Sequence, residues 1–286
     1  MNAQRTIILS AICFLYGATM LLARAEFSTT NQGFPGIIYY SETRTNPPTR
    51  LWVAEIDLTQ PHLHVRVAPG GPDPDGPGKW QATLMPPTQI AAREHFDLVV
   101  NGDFFDARNI KDAEGKSSGY RTGQWASVIG SAVTDGKIWS VSKEARPCLV
   151  VHTNQTVTID TLATPPPDDW EVIGGNTLLI KDGVDVAPPV KTRHPRTAAG
   201  LDATGTKLIL LVVDGRKPGI AVGMSYEELA REMLKLGCRQ ALNLDGGGSS
   251  LMAIRDPKTG EMKILSHPTD GHERAVADVL GISETN

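Results

Sequence analysis

Acidic and amide side chains follow three apolar segments of the sequence, each at the point where a strand is expected to end. Asn101 and Asp103 follow Leu-Val-Val, Asp214 follows a longer apolar run, and Asn243 and Asp245 follow Gln-Ala-Leu. Loops at strand ends are where rigid scaffolds present catalytic groups. A pair of carboxylates can act as acid, base or nucleophile on a glycosidic bond. The same oxygens suit a divalent cation such as Ca²⁺ or Mg²⁺, and Asp and Asn are also ordinary turn residues.

A glycine-rich turn comes directly after Asp245. Gly246, Gly247 and Gly248 precede Ser249 in "NLDGGGSSL". Glycine permits positive φ angles and a close approach of the backbone to a ligand, and successive N–H groups can form an anion-binding concavity. The turn lacks the Gly-Lys-Ser/Thr of a P-loop and the G-x-S-x-G pattern of an esterase elbow. The sequence predicts either an anion site or a plain tight turn.

Two arginines and three histidines complete the set of candidate polar groups. Arg196 lies in "HPRTAAG" and Arg274 in "HERAVADVLGI". Arginine forms bidentate hydrogen bonds with phosphate or carboxylate groups. His194, His267 and His272 are candidate general acids or bases, although an isolated histidine is more often structural or solvated.

Strand and hairpin patterns dominate the segments that must position these groups. Asp-Gly lies between apolar arms at Ala132–Trp139 and again at Leu178–Val186, which is a strong hairpin signal. Longer hairpins are predicted for Ala198–Gly215 and Met252–Leu265. Ser225 and Glu228 form a capping box at the start of an amphipathic helix. We therefore expect an α+β fold, with a mixed, mainly antiparallel twisted sheet and a few packed helices.

The first 25 residues read as a secretory signal peptide. Arg5 precedes an apolar run from Ile7 to Leu22, and "ARA" at 23–25 is a small-x-small cleavage site. The run is shorter than the roughly 20 residues that span a bilayer, so no stable membrane span is expected after cleavage. Residues 26–286 are then predicted to form a single domain, exported to the periplasm or secreted.

Charge and cysteine content narrow the classes of partner. The chain of 286 residues has a net charge of −4, and no basic tract follows the predicted signal peptide, so nucleic-acid binding is not expected. Cys148 and Cys238 remain after cleavage, and export permits a disulfide between them without requiring one. Neither cysteine belongs to a Cys/His cluster, so a thiolate zinc site is not predicted.

The order of these motifs resembles the phosphodiester glycosidase family. "NGDFF", "HPRTAAGLD", "VVDGR", the capped helix, "ALNLDGGGSS" and "RAVADVLGI" follow one another between Leu98 and Ile282. The resemblance implies a hydrolase that cleaves a sugar-1-phosphodiester, of the N-acetylglucosamine-1-phosphate type, into a sugar and a phosphate monoester. Carried over by position, it implies a site that draws on Asn101, Asp103, Arg196, Thr197, Asp214, Asn243, Asp245, Gly246, Gly247, Gly248, Ser249 and Arg274.

One departure from the family pattern concerns Asp103. The best-known family member has Asn-Gly-Gly-Phe-Phe where this chain has Asn-Gly-Asp-Phe-Phe. The substitution points to a metal ion or to a different substrate, for which a bacterial envelope or capsule polymer with sugar-phosphate linkages is the expected class.

The roles of the carboxylates follow from the chemistry that the resemblance implies. Asp245 is the first choice as the group that attacks the anomeric carbon or activates water, with Asp103 or Asp214 as its partner. Three alternatives stay open: a metal-dependent phosphodiesterase that cleaves the P–O bond, a non-catalytic glycan-binding module used in exopolysaccharide assembly, and a scaffold whose carboxylates only cap turns.

Overall fold

Strands make up most of the regular structure in this computed structural model, which describes residues 26–30, 34–111, 115 and 119–284. The predicted signal peptide, residues 1–25, lies outside the described residues. In chain order the strands are β1 (Glu26–Thr30), β2 (Ile37–Thr45), β3 (Pro48–Asp57), β4 (Leu63–Pro69), β5 (Ala82–Thr83), β6 (Leu98–Asn101), β7 (Phe105–Ala107), β8 (Trp125–Val128), β9 (Ala132–Thr134), β10 (Lys137–Ser140), β11 (Arg146–His152), β12 (Val157–Leu162), β13 (Asp169–Gly174), β14 (Thr177–Lys181), β15 (Val184–Asp185), β16 (Arg196–Leu201), β17 (Lys207–Val213), β18 (Gln240–Asn243), β19 (Met252–Arg255), β20 (Met262–Ile264) and β21 (Asp278–Glu284).

These strands form four sheets. The largest has eight strands in the order β1-β2-β3-β17-β16-β18-β14-β15. Two sheets have five strands each, in the orders β10-β9-β13-β11-β12 and β20-β19-β6-β21-β4. A small sheet contains β5, β8 and β7. Strands that are distant in the sequence therefore become neighbours, and the ends of β6, β16 and β18 are brought to one region.

The main hydrophobic core lies between the eight-stranded sheet and the two five-stranded sheets. Leu210 and Leu242 enter it from the large sheet, Leu149 from the second sheet, and Val100 and Leu280 from the third. Alternate residues of β16, β17 and β18 face a second core on the other side of the large sheet. Because side chains alternate between the two faces of a strand, the large sheet separates an inner face from a helix-covered outer face.

Local sequence signals explain the hairpins. β9 and β10 are joined by Asp135 and Gly136, with φ angles of 49° and 70°, and β14 and β15 by Asp182 and Gly183, with φ angles of 53° and 78°. Positive φ at both central residues is the requirement of the tight hairpin turn that Asp-Gly favours. The predicted pairs β16–β17 and β19–β20 also form.

The described residues contain two α-helices, α1 (Pro87–Glu94) and α2 (Tyr226–Lys235). The predicted capping box is present in α2: the Glu228 amide donates to the Ser225 hydroxyl at 3.2 Å, and the Ser225 amide donates to Glu228 Oε2 at 2.9 Å. Buried Leu229 and Met233 attach α2 to the outer face of the large sheet. Neither helix has the length and apolar character needed to cross a bilayer.

The predicted fold class holds in its main feature and needs two corrections. The sheets are antiparallel as expected, but every strand pair that the structure describes is antiparallel, so the expected mixture with parallel strands is wrong. Helices are few, so the fold is predominantly β. Consecutive strands such as β9–β10 and β14–β15 pair through tight turns, which require antiparallel neighbours.

The two described cysteines lie in different cores as free thiols. Cys148 is buried in the second sheet, and Cys238 is buried with Met233 beneath α2. The disulfide that the sequence left open is therefore not formed.

Candidate active site

The glycine-rich turn and the end of β6 contact each other directly. The Asp245 amide donates to the Gly102 carbonyl oxygen at 2.9 Å, and the Asn101 side-chain amide donates to the Asp245 carbonyl oxygen at 2.7 Å. The Gly246 amide donates to Asp245 Oδ1 at 2.8 Å. Two of the three predicted strand ends are thus joined by hydrogen bonds at one place.

Thr197 extends this set from β16. Its hydroxyl donates to Asn101 Oδ1 at 2.7 Å, and the Leu251 amide donates to the same oxygen at 3.1 Å. Asn101 is fully buried, so these bonds satisfy its side chain and fix its orientation. The predicted residues Asn101 and Thr197 therefore hold the Asp245 backbone in place.

Asp103 lies buried beneath this point, held by backbone amides. Oδ1 accepts from the Phe104 amide at 2.7 Å, and Oδ2 accepts from the Gly130 amide at 2.6 Å. A Cβ on Gly130 or on Gly174 would lie 2.5 or 2.7 Å from Asp103 Oδ2. Such contacts are too short, so only glycine at both positions leaves room for this carboxyl.

Asp278, at the start of β21, is a buried neighbour that the sequence reasoning did not single out. Its Oδ1 accepts from the Asp103 amide at 2.8 Å, while Oδ2 has no hydrogen-bond partner among the described residues. The signal was present in "RAVADVLGI", where an acidic residue opens an otherwise apolar strand. It was missed because an aspartate before a strand is usually a turn residue.

Burial raises the pKa values of these carboxyls above their usual range. It raises the pKa of Asp103 to about 7; the Gly130 and Phe104 amides oppose the shift, and the charge of Asp245 adds to it. Burial also raises the pKa of Asp278 well above its usual range, with a further contribution from Asp103. Asp278 therefore favours its protonated form at neutral pH, whereas Asp103 is divided between its protonated and ionised forms. Burial is the main cause, and the neighbouring carboxylate charges add to it.

Asp245 has a lower pKa than the neighbouring carboxyls of Asp103 and Asp278. Burial raises its pKa to about 6, against the opposing effects of Ser249, the Gly246 amide, Arg274 and Arg216. Asp245 is only partly buried, whereas Asp103 is 2% exposed. Asp245 is therefore mostly ionised at neutral pH and can be reached from outside.

The glycines after Asp245 make room for two arginines. Gly247 has a φ angle of 65°, and a Cβ there would lie 2.9 Å from Arg216 Nη2. A Cβ on Gly248 would overlap the guanidinium of Arg274, which pairs with Asp270 at 2.9 Å. Arg274 was expected at the site, whereas Arg216 was not assigned to it, although "VVDGR" contained the signal.

The predicted nest of free amides is largely absent. The Gly246 amide is bound to Asp245, the Gly247 amide to the Pro195 carbonyl oxygen at 2.9 Å, and the Ser249 amide to the Gly246 carbonyl oxygen at 3.2 Å. These bonds close the turn, with Gly247–Ser249 as a short 3-10 helix. The positive charge beside Asp245 therefore comes from arginine side chains more than from backbone donors.

The backbone of Arg196 lies against Gly246 of the turn, but its side chain is directed away from the carboxyls, which corrects its expected role. The neighbouring Ala198 faces the outer core and Ala199 the inner core, so Arg196 lies on the outer face and Thr197 on the inner face. The Arg196 guanidinium donates to the Met224 carbonyl oxygen at 3.0 Å and to that of Thr192 at 3.2 Å. It also stacks over the Tyr226 ring at 4.1 Å.

Asn243 likewise serves the outer face. Its side-chain amide donates to Asn176 Oδ1 at 2.9 Å and to the Leu244 carbonyl oxygen at 2.6 Å. The Asn176 amide in turn donates to the Tyr226 hydroxyl at 3.0 Å. Asn243 and Arg196 thus belong to one polar network between the large sheet and α2, which supports the turn from behind.

Asp214 lies at a neighbouring part of the same rim but does not pair with the other carboxyls. His267 Nδ1 lies 2.8 Å from Asp214 Oδ2, and the His267 amide donates to Oδ1 at 2.9 Å. The Trp52 indole N–H donates to Oδ2 at 3.4 Å. The side chain of Asp214 is 2% exposed and that of His267 is 47% exposed. Asp214 is therefore not a free carboxylate: it is shielded from solvent, and His267 is the exposed member of the pair.

The donor set gives little support to the metal ion considered from the sequence. No group of three or more His, Cys, Asp or Glu side chains with the arrangement of a metal site occurs within residues 34–111, 115 and 119–284. Both oxygens of Asp103 are already occupied by amides.

Comparison with known proteins defines the class to which this arrangement belongs. The family model for phosphodiester glycosidases matches residues 95–283. The chain belongs to the phosphodiester glycosidase family, as the motif order indicated, and the family points to a glycosidase-type hydrolase.

Individual relatives are more distant. A segment of 94 residues is 39% identical to the SPbeta prophage-derived uncharacterized protein YomE of Bacillus subtilis, covering 33% of this chain and 13% of that protein. The chain thus spans only a small part of that relative.

Three solved structures share the fold. The catalytic domain of zebrafish N-acetylglucosamine-1-phosphodiester alpha-N-acetylglucosaminidase, auto-inhibited by its pro-peptide, matches with a TM-score of 0.64 and 21% identity over 91% of this chain and 88% of that one. A putative exported protein of Burkholderia pseudomallei matches with a TM-score of 0.58 and 19% identity over 82% and 74%. A hypothetical protein from Synechocystis matches with a TM-score of 0.53 and 15% identity over 92% and 68%.

Proposed function

We propose that this protein hydrolyses a sugar-1-phosphodiester at the glycosidic C–O bond, releasing the sugar and a phosphate monoester. The observation that supports this most is the partly buried carboxylate of Asp245 at the start of a glycine turn, with the guanidinium groups of Arg216 and Arg274 against Gly247 and Gly248. Burial raises the pKa of Asp245 to about 6, and the charges of both arginines oppose that shift. Family membership and the fold shared with a phosphodiester alpha-N-acetylglucosaminidase favour the same reaction. A substrate of the N-acetylglucosamine-1-phosphate type is the starting expectation.

The arginines are suited to the phosphate. A phosphodiester carries one negative charge, and more charge develops on the phosphate oxygens as the C–O bond breaks. Fixed cations placed at developing charge lower the barrier because they need no reorganisation during the reaction. Arg216 and Arg274, held against the glycine turn, supply that charge.

Asp245 performs the step at the anomeric carbon. In its ionised form it either attacks C1, giving a glycosyl ester that water then hydrolyses to free the sugar and the carboxylate, or takes a proton from the water that attacks C1. In both cases the phosphate leaves with the bonding electrons. The buried pair Asp103 and Asp278 assists by retaining a proton. A neutral Asp103 adds no like charge beside Asp245, which keeps Asp245 ionised when substrate binds.

We further propose that the reaction takes place outside the cytoplasm, on a sugar-phosphate polymer of the bacterial envelope or capsule. The support for export is the predicted signal peptide at residues 1–25 and the shared fold with a protein described as a putative exported protein. The soluble domain would then act in the periplasm or after secretion.

The decisive experiment measures hydrolysis of sugar-1-phosphodiesters that vary in sugar and anomer. Wild-type protein in ¹⁸O-labelled water is expected to place the label on the sugar, as C–O cleavage requires. Asp245→Asn is expected to lower kcat by at least about 10³-fold, because it removes a group that acts directly in the reaction. Asp168→Asn, an exposed carboxylate without a role here, is the matched control.

Three outcomes would overturn the proposal. Label on the phosphate would show P–O cleavage and favour a phosphodiesterase. Glycan binding without turnover, unaffected by Asp245→Asn, would favour a binding module. Full activity of Asp245→Asn would remove this residue from the reaction.

A further inference from the structure

A cavity of about 320 Å³ lies beside the candidate active site, between the large sheet and the β19–β20 hairpin. Its floor is the inner face of β2 and β3, where Tyr39 and Trp52 are only partly buried. Exposed Lys258 and Lys263 lie on the hairpin side, and Leu265 lines the cavity two residues before His267. The cavity therefore combines aromatic faces with positive charge.

Some of the donors around this cavity have partners: Tyr40 donates to Glu55, Trp52 to Asp214 and Arg255 to Asp97. Within the described part of the chain, the side chains of Lys258 and Lys263 and the hydroxyls of Tyr39 and Ser41 make no hydrogen bond or ion pair. The one lining carboxylate, Asp256, accepts from the amides of its own turn. A ligand that fits must supply acceptors and negative charge, with an apolar face for the aromatic rings.

Trp52 links the cavity to Asp214 and His267. Its indole N–H donates to Asp214, and its ring lies 5.6 Å from the His267 ring, centroid to centroid. His267 follows Leu265 by two residues, and the same segment continues to Arg274 at the glycine turn. A polymer bound at Arg216 and Arg274 can therefore continue past His267 into this cavity.

We propose that the cavity is a second saccharide subsite, which binds a phosphate-bearing sugar unit of a polymeric substrate next to the unit that is hydrolysed. Trp52 and Tyr39 supply faces for the sugar ring, and Lys258 and Lys263 bind the phosphate of that neighbouring unit. The inference rests on the proposed function for the reaction, whereas binding at the cavity can be measured without it.

The kinetic test compares a tetramer of phosphodiester-linked sugars with a single sugar-1-phosphodiester that carries a methyl aglycone. The double variant Lys258→Glu/Lys263→Glu is expected to lower the ratio of kcat/KM for the tetramer to kcat/KM for the short substrate by about tenfold, since two favourable charges become repulsive. Lys137→Glu/Lys181→Glu changes two exposed lysines on other strands and is expected to keep the wild-type ratio. An unchanged ratio in the first variant, or an equal fall in both variants, would overturn the subsite.

A binding test separates this proposal from the proposed function. The tetramer is titrated into Asp245→Asn protein and followed by tryptophan fluorescence, with Trp52→Phe added to identify the signal. Saturable binding that weakens with Lys258→Glu/Lys263→Glu supports the subsite even if no sugar-1-phosphodiester is hydrolysed. No binding by the intact pocket, or a change of oligomeric state abolished by the lysine variant, would overturn it, the latter because a second copy of the chain would be the occupant.

Discussion

Two arginines that look alike in the sequence have opposite surroundings. Arg274 lies against Gly248, pairs with Asp270 and lowers the pKa of Asp245 by its charge, whereas Arg196 is buried on the outer face among carbonyl oxygens and the Tyr226 ring. One is placed to meet an anion, and the other satisfies backbone acceptors that would otherwise be buried without partners.

This difference predicts opposite outcomes for the two alanine variants. Arg274→Ala is expected to lower kcat/KM for a sugar-1-phosphodiester by about thirtyfold, the value of a charge-assisted hydrogen bond of ~2 kcal/mol, with little change in Tm. Arg196→Ala is expected to lower the free energy of unfolding by a similar ~2 kcal/mol and to retain most of kcat/KM in the folded fraction. Steady-state kinetics and thermal unfolding of both variants check this, and the reverse pattern would show that the two roles are exchanged.

Some residues of the candidate site could be predicted because they directly follow an apolar run that ends a strand. Asn101, Asp103 and Asp245 were found because polar residues directly after apolar runs are conspicuous. The sequence could not show which face of the sheet a residue occupies, so adjacent Arg196 and Thr197 were assigned to the same site. Only the pairing of β16 with its neighbours, together with the packing of the layers, separates them.

Local chemistry determines several elements without help from the rest of the fold. The Asp-Gly turns were correct because few other residue pairs accept positive φ at both positions. Helix α2 was correct because its cap and its apolar stripe are both encoded within about three turns. The order of the strands was not predictable, since β3 next to β17 and β6 next to β21 join segments at least 150 residues apart.

The cap of α2 can be tested by itself. Ser225→Ala removes the acceptor of the Glu228 amide and is expected to cost about 1 kcal/mol of unfolding free energy. Ser225→Asp keeps an acceptor and is expected to recover most of that loss. Denaturant titration of both variants measures the effect, and equal stability of the two would show that the hydroxyl is not the stabilising group.

Over the whole molecule, buried carboxyls give stability an unusual dependence on pH. Glu171, on β13, is fully buried and accepts from the amides of Val67 on β4 and of Asp135, and burial raises its pKa to about 8. The pKa values of Asp103 and Asp245 are raised as well, to about 7 and about 6. In each case the folded state holds the proton more tightly than the unfolded state.

The protein is therefore expected to be most stable in mild acid and to lose stability as pH rises. The contribution of Glu171 is fully present below its ordinary pKa near 4.5 and is lost as pH passes through about 8. Glu171→Gln, which cannot ionise, is expected to flatten this decline between pH 5 and about 8. Tm measured across that range for both proteins is the check, and parallel curves would show that Glu171 does not carry the effect.

The two described cysteines can report how fast the layers that bury them open. Cys148 packs behind the acidic site, Cys238 lies beneath α2, and burial raises the pKa of each to about 12. Alkylation must then wait for the surrounding layer to separate, since a shielded, protonated sulfur is a poor nucleophile. Pulse labelling followed by mass spectrometry would time the loosening of the helical layer and of the catalytic layer independently, with no introduced probe.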